Sequence, residues 1–196
     1  MLNFLLVLAC WLPPQSPETP TVHSVSDISQ RFTFYLDGRF HRQYLAEHGK
    51  DVRNWGSLGK LDLDNANLLV LSAGDPRIPY APQAIQNVER FLKSGGTVLL
   101  MDEGASHPGA ALASHFGITS SNTKATGAAT ATAELLQRLE LTEMAPTFRG
   151  GHTMVLQPGW IALLEDQNEG VLLALRSVGK GHLLLGSRGL FGQKPD

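Results

Sequence analysis

Between positions 67 and 101 the spacing of apolar residues changes twice. Residues 67–73 (NLLVLSA) form a continuous apolar run, the pattern of a strand buried on both faces of a parallel sheet. Gly74-Asp75-Pro76 breaks it. Ile85, Val88, Phe91 and Leu92 then recur at helical spacing over residues 82–94. Pro82 suits the first turn of that helix, and Gly95-Gly96 stops it. Residues 97–101 (TVLLM) are a second buried strand. Strand, helix and strand in this order make a βαβ unit with its two strands parallel.

The flanking chain carries weaker signals. Residues 31–37 (RFTFYLD) read as a strand running into an Asp37-Gly38 turn. Residues 40–48 have a loose helical spacing closed by Gly49, residues 51–55 a short strand, and residues 56–65 a polar loop. A helix is expected over 108–116, ended by Gly117. Residues 120–132 (SSNTKATGAATAT) are small and polar and read as a mobile loop, followed by a short helix over 133–141. Strand-like runs follow at 153–156, 160–164, 171–175 and 182–185, with Gly179-Lys180-Gly181 as a hairpin turn between the last two. The expected fold class is α/β: a three-layer, Rossmann- or flavodoxin-like parallel sheet flanked by helices, with extra strands at the C-terminal end.

The N-terminus has a different character. Residues 2–12 (LNFLLVLACWL) are apolar and uncharged. That is the length of a signal-peptide core and too short for a bilayer, which needs about 20 residues. Pro13, Pro14, Pro17 and Pro20 follow, so no helix continues. Residues 1–21 are therefore expected to be a leader and linker, and residues 22–196 a single domain. The place of action is then secreted, periplasmic or surface-anchored. Val7-Leu8-Ala9-Cys10 resembles a bacterial lipobox, which makes Cys10 a candidate lipid anchor. A buried apolar N-terminal segment is the alternative.

Composition narrows the chemistry. The 196 residues suit one domain, with 42% hydrophobic and 17% charged residues and a formal net charge of −2. A chain this long buries about 70% of its unfolded surface, so it needs no staple. No basic stripe points to nucleic acid. Cys10 is the one cysteine, which excludes an internal disulfide and a cysteine nucleophile in the folded domain. Seven histidines occur, none at H-E-x-x-H spacing. Neither a metal nor a cofactor is expected.

Ligands of open parallel α/β sheets bind at the carboxyl ends of the strands, near a reversal of strand order. This rule selects the turns at 37–41, 72–77 and 102–109. They carry Asp37 and His41, Asp75 and Arg77, and Asp102, Glu103, Ser106 and His107. Asp37 with His41 reads as a metal-binding or acid/base pair, or as a turn aspartate with a helix-face histidine. The third turn has the build of a nucleophile elbow, in which a sharp strand-to-helix turn aims one side chain at a helix N-terminus. Ser106 is its nucleophile candidate, or else a helix N-cap. His152, after Gly150-Gly151, is a candidate base or a surface histidine. The glycines at 95–96 and 179–181 follow a helix or join strands, so they read as turns and not as phosphate loops.

Residues 104–117 (GASHPGAALASHFG) resemble the nucleophile turn of class I glutamine amidotransferase-like domains, which runs G-x-C-x-G-H-Q-x-L-A-x-x-x-G. Ser106 falls at the cysteine position. The segment 68–101 is similar to the same superfamily. The tail at 171–186, with its GKG turn, is similar to trehalose-utilisation and related bacterial branches. The likeness covers residues 32–192. It implies a Rossmann-like fold, with Ser106 and His152 as the candidate catalytic residues, beside the ligand-binding candidates Asp37, His41, Asp75, Arg77, Glu103 and His107 that the strand-end rule selects. This chain departs from the pattern at Ser106, at Pro108 in place of glycine and at Ala110 in place of glutamine. His152 also lacks the glutamate that follows the family's histidine by two. The expected function is a catalytically degenerate module of the cell envelope that binds a small molecule, a glycan or an envelope protein. The alternative is a hydrolase of the same fold using Ser106 or a carboxylate/His pair, on carbohydrate-related substrates.

Overall fold

In a computed structural model of the chain, the residues described are 21–25, 51–55, 68–71, 82–102, 108–143, 148, 150–187 and 190. Ten strands and three helices occur among them. The strands are β1 (Thr21–Val25), β2 (Asp51–Trp55), β3 (Leu68–Leu71), β4 (Thr97–Asp102), β5 (Ile118–Lys124), β6 (Thr130–Ala131), β7 (His152–Leu156), β8 (Ile161–Glu165), β9 (Val171–Val178) and β10 (Gly181–Ser187). The helices are α1 (Pro82–Ser94), α2 (Pro108–His115) and α3 (Ala133–Arg138).

The strands form one sheet in the order β2-β1-β3-β4-β10-β9-β7-β5, with β8 on β9 and β6 on β8. β2, β1, β3, β4 and β10 are mutually parallel; β9 and the strands beyond it are antiparallel. The parallel half thus has the 2-1-3-4-5 order of flavodoxin-like sheets, with β10 in fifth place. Its strand order reverses between β1 and β3.

Successive residues of β4 and β10 are buried on both faces, which is why these strands read as apolar runs. On one face Leu69, Val98 and Leu183 share a register row, and Leu71, Leu100 and Leu185 the next. These six are buried in one core with Val88, Phe91 and Leu92 of α1 and Leu112, Ala113 and Phe116 at α2. On the other face Leu99, Leu184 and Leu175 form a buried row. His182 alternates onto that second face, and α3 packs against β8 through Thr132, whose N–H donates to Leu163 O at 3.0 Å. Burying each such leucine stabilises the fold by about 1.5–3 kcal/mol before entropic costs.

Local signals set the element ends. Helix α1 closes with the N–H groups of Gly95 and Gly96 donating to Leu92 O and Phe91 O at 3.0 Å, and with Gly95 at φ 113°. That conformation requires glycine. The turn from β9 to β10 is two residues long, since Val178 pairs with Gly181. Gly181 must also lack a side chain, because a Cβ there would lie 2.2 Å from Gly96 O and 2.3 Å from Leu92 O. The two glycine turns therefore pack on each other.

The structure corrects the loop expected at 120–132. Residues 118–124 are β5, antiparallel to β7, and residues 130–131 are β6 on β8. The polar sequence hides the pairing because β5 is anchored by one fully buried residue, Ile118. Cross-strand hydroxyls do the rest, with Ser121 Oγ 3.0 Å from Thr153 Oγ1. Residues 21–25, the first of them read as linker, form β1. The strand expected at 31–37 and the helix at 40–48 lie outside the described residues, as does the loop at 56–65.

Candidate functional site

The carboxyl edge of the parallel half is formed by the ends of β1, β3, β4 and β10 at Val25, Leu71, Asp102 and Ser187. Asp102 and Ser187 are register partners. The segment carrying Glu103, Ser106 and His107 leaves from Asp102, and α2 begins at Pro108. The segment with Asp75 and Arg77 follows Leu71, at the reversal point between β1 and β3. Neighbouring strands lie about 4.8 Å apart, so the end of β10 is about 10 Å from that of β3. Asp37, His41, Asp75, Arg77, Glu103, Ser106 and His107 all lie outside the described residues.

His152 is described. It opens β7 and is partly exposed. Two glycines with positive φ deliver it, Gly150 at 69° and Gly151 at 108°. Its backbone N–H donates to Ser187 Oγ at 3.2 Å, and Ala125 N donates to Gly151 O at 3.1 Å. Its register partner on β5 is Lys124. The fold therefore brings His152 to the end of β10, beside the strand from which the Ser106 segment departs. Among the described residues no group hydrogen-bonds its imidazole.

Sequence reading missed Ser187, which has 0% of its surface exposed. It ends the row begun by Leu183 and Leu185, where packing alone calls for an apolar side chain. A serine closing an apolar strand was the available signal. Asp166 was missed as well. It sits in the Asp-Gln-Asn-Glu-Gly turn between β8 and β9, an Asx-turn signature. One carboxylate oxygen accepts from Asn168 N at 2.9 Å and Gly170 N at 2.8 Å, the other from Thr126 N at 2.9 Å. Burial pushes this carboxyl up, but the donors from Thr126, Gly170 and Asn168 outweigh it and hold the group below the usual aspartate range. Its lone pairs are taken, so its role is to tie two loops together.

Two further groups are shifted, both away from this edge. Burial, and then the Arg138 guanidinium, lower the basicity of His182. On the surface, Glu89 of α1 is held below its usual range chiefly by its hydrogen bond with His115 Nε2 at 2.9 Å. No group of three or more His, Cys, Asp or Glu that could hold a metal occurs among the described residues. No helix among them is long and apolar enough to cross a membrane.

A family model for a domain of unknown function, DUF4350, matches residues 41–191. The chain belongs to the DUF4350 family. No curated protein matches it. Solved structures share its fold at low identity. The N-terminal domain of mmIFT52 has a TM-score of 0.69 and 16% identity, covering 87% of each chain. A glutamine amidotransferase from Thermotoga maritima has a TM-score of 0.58 and 15% identity, over 85% of this chain and 75% of its own. A β-galactosidase from Bacillus circulans has a TM-score of 0.59 and 15% identity, and this chain spans 28% of its length. The DUF4350 chain thus shares the α/β fold of the glutamine amidotransferase. At these identities the likeness is one of fold.

Proposed function

We propose that this DUF4350 chain is a catalytically degenerate, amidotransferase-like binding module of the cell envelope. Its ligand seat is the carboxyl edge at β3, β4 and β10. The supporting observation is the delivery of a partly exposed histidine, His152, to the end of β10 by two glycines and a buried serine. The adjacent strand leads into the segment where Ser106 stands at the cysteine position of the amidotransferase pattern that the sequence resembles. That replacement, with Pro108 and Ala110, removes the machinery of glutamine hydrolysis. The proposed seat is a crevice at these strand ends, which the sequence follows with polar residues such as Asp75, Arg77, Glu103 and His107, and such a seat suits a small molecule, a glycan or a peptide from an envelope protein. The trehalose-utilisation likeness of the tail directs the glycan reading. Export rests on the apolar run at 2–12, with Cys10 as the lipidation candidate; sequencing the mature N-terminus tests it.

Amide chemical shifts test the seat. Titration with trehalose and with soluble muropeptides should perturb Leu71, Asp102, His152 and Ser187 first. Perturbations confined to the β2 or β5 edge, or none with any probe, would remove the reading. The alternative hydrolase reading is favoured by the ring of His152, which no described residue hydrogen-bonds, near the end of the strand pair from which the Ser106 segment departs. A fluorophosphonate probe tests the Ser106 form of the hydrolase reading against the binding module. Labelling of the wild-type chain that is lost in Ser106→Ala would make it a hydrolase; no labelling of folded protein supports the binding module.

A further inference from the structure

We infer that Ser187 is a positioning residue of this crevice: its buried hydroxyl fixes where His152 stands. The inference rests on reading the carboxyl edge as the ligand seat. β10 runs parallel to β4, whereas β7 belongs to the antiparallel half and pairs with β9 through Met154 and Val171. At its first residue β7 meets the end of β10, and the described residues show no ladder pairing between the two strands there. The Ser187 hydroxyl joins them by accepting the His152 N–H at 3.2 Å. A fully buried serine in a row otherwise made of Leu183 and Leu185 costs desolvation, which only a hydrogen bond offsets. The bond also holds His152 against the freedom of the left-handed Gly150-Gly151 turn preceding it. Moving the Ser187 hydroxyl would let the start of β7, and the imidazole with it, drift from the strand ends.

The test needs no ligand and uses the full chain. Amide exchange and the ring proton resonances of His152, assigned with His152→Gln, are compared in wild type, Ser187→Ala, Ser187→Cys and Ser187→Thr. In Ser187→Ala the His152 amide should exchange at least about tenfold faster, as expected for one lost hydrogen bond, with the ring resonances shifted or broadened. The amides of Leu99 and Leu184 should hold. Ser187→Thr should restore both, and Ser187→Cys should fall between. If the alanine variant does not fold, the cysteine and threonine variants decide by the same contrast. Ring resonances that stay put in every variant overturn the inference, leaving Ser187 a purely structural acceptor. Failure of the ligand-seat reading is separate: it appears in the titrations while the His152 ring still responds to Ser187.

Discussion

Asp166 accepts the backbone N–H of Thr126 at 2.9 Å, across 40 positions of chain. The contact joins the hairpin between β8 and β9 to the loop between β5 and β6. Asn168 Nδ2 adds a bond to Thr126 Oγ1 at 2.7 Å. Removing the carboxylate strands three backbone donors. Asp166→Ala should cost about 2–4 kcal/mol, lowering the midpoint of thermal unfolding by about 5–15 °C. Asp166→Asn keeps one acceptor oxygen and should fall between wild type and alanine. Equal midpoints for all three proteins would refute this account of the loop.

The same carboxylate sets an acid limit. Its folded-state pKa lies below the unfolded value of about 3.9, so its contribution is complete above that value. The contribution is lost as pH falls through the lower folded value. The stability gap between wild type and Asp166→Asn should therefore be constant from pH 7 to 5 and narrow below about pH 4. Urea midpoints at these pH values measure it, and a gap that widens on acidification would have the wrong sign.

His182 acts in a higher window. Burial first, and Arg138 second, disfavour its charged form. The unfolded chain then binds a proton that the folded chain resists, so stability declines as pH falls below about 6.5. Once the lower folded pKa is passed, no further decline comes from this group. His182→Gln should flatten the stability curve between pH 7 and 5 relative to wild type. Parallel curves for the two proteins would remove His182 from the acid response.

Two glycines should respond to alanine for different reasons. At Gly181 the new Cβ meets backbone oxygens at 2.2 and 2.3 Å, and neither can rotate away. Gly181→Ala should cost about 3 kcal/mol or more, a large share of the stability of a domain this size. At Gly150 the Cβ meets nothing within 4 Å, and only the φ of 69° resists it. Gly150→Ala should cost about 1–2 kcal/mol, and Gly150→Asn less. Denaturant unfolding of the three variants checks the order.

The sequence revealed the elements that carry dense apolar patterns and missed those held by polar pairing. Leu69, Val98 and Leu100 announced β3 and β4, and Val88, Phe91 and Leu92 announced α1, because these residues pack into one buried core. β5 was missed because Ser121 and Thr153 contribute hydroxyls where the pattern rules look for methyl groups. β1 was missed because Thr21, His23 and Ser24 give Thr21–Val25 little strand pattern to read. At the candidate site, Gly150-Gly151 drew attention to His152. Ser187 was legible only as a serine closing an apolar strand, because its hydrogen-bond partner lies on a strand 35 positions away in the chain.

The end of α2 offers a test of shared hydrogen bonding. Phe116 O accepts from Trp160 Nε1 at 2.9 Å and also from the Arg176 guanidinium. One carbonyl at a helix C-terminus thus has two donors, one from the residue before β8 and one from β9. Losing either leaves the oxygen satisfied, so Trp160→Phe and Arg176→Met should each cost about 1 kcal/mol through this bond. Losing both leaves a buried helix-end carbonyl without a partner, which adds a desolvation penalty that neither single variant shows. The double variant should therefore be less stable than the sum of the singles by about 1 kcal/mol. A double-mutant cycle on denaturant midpoints measures this coupling. Strict additivity would show that the two donors act independently of the carbonyl they share.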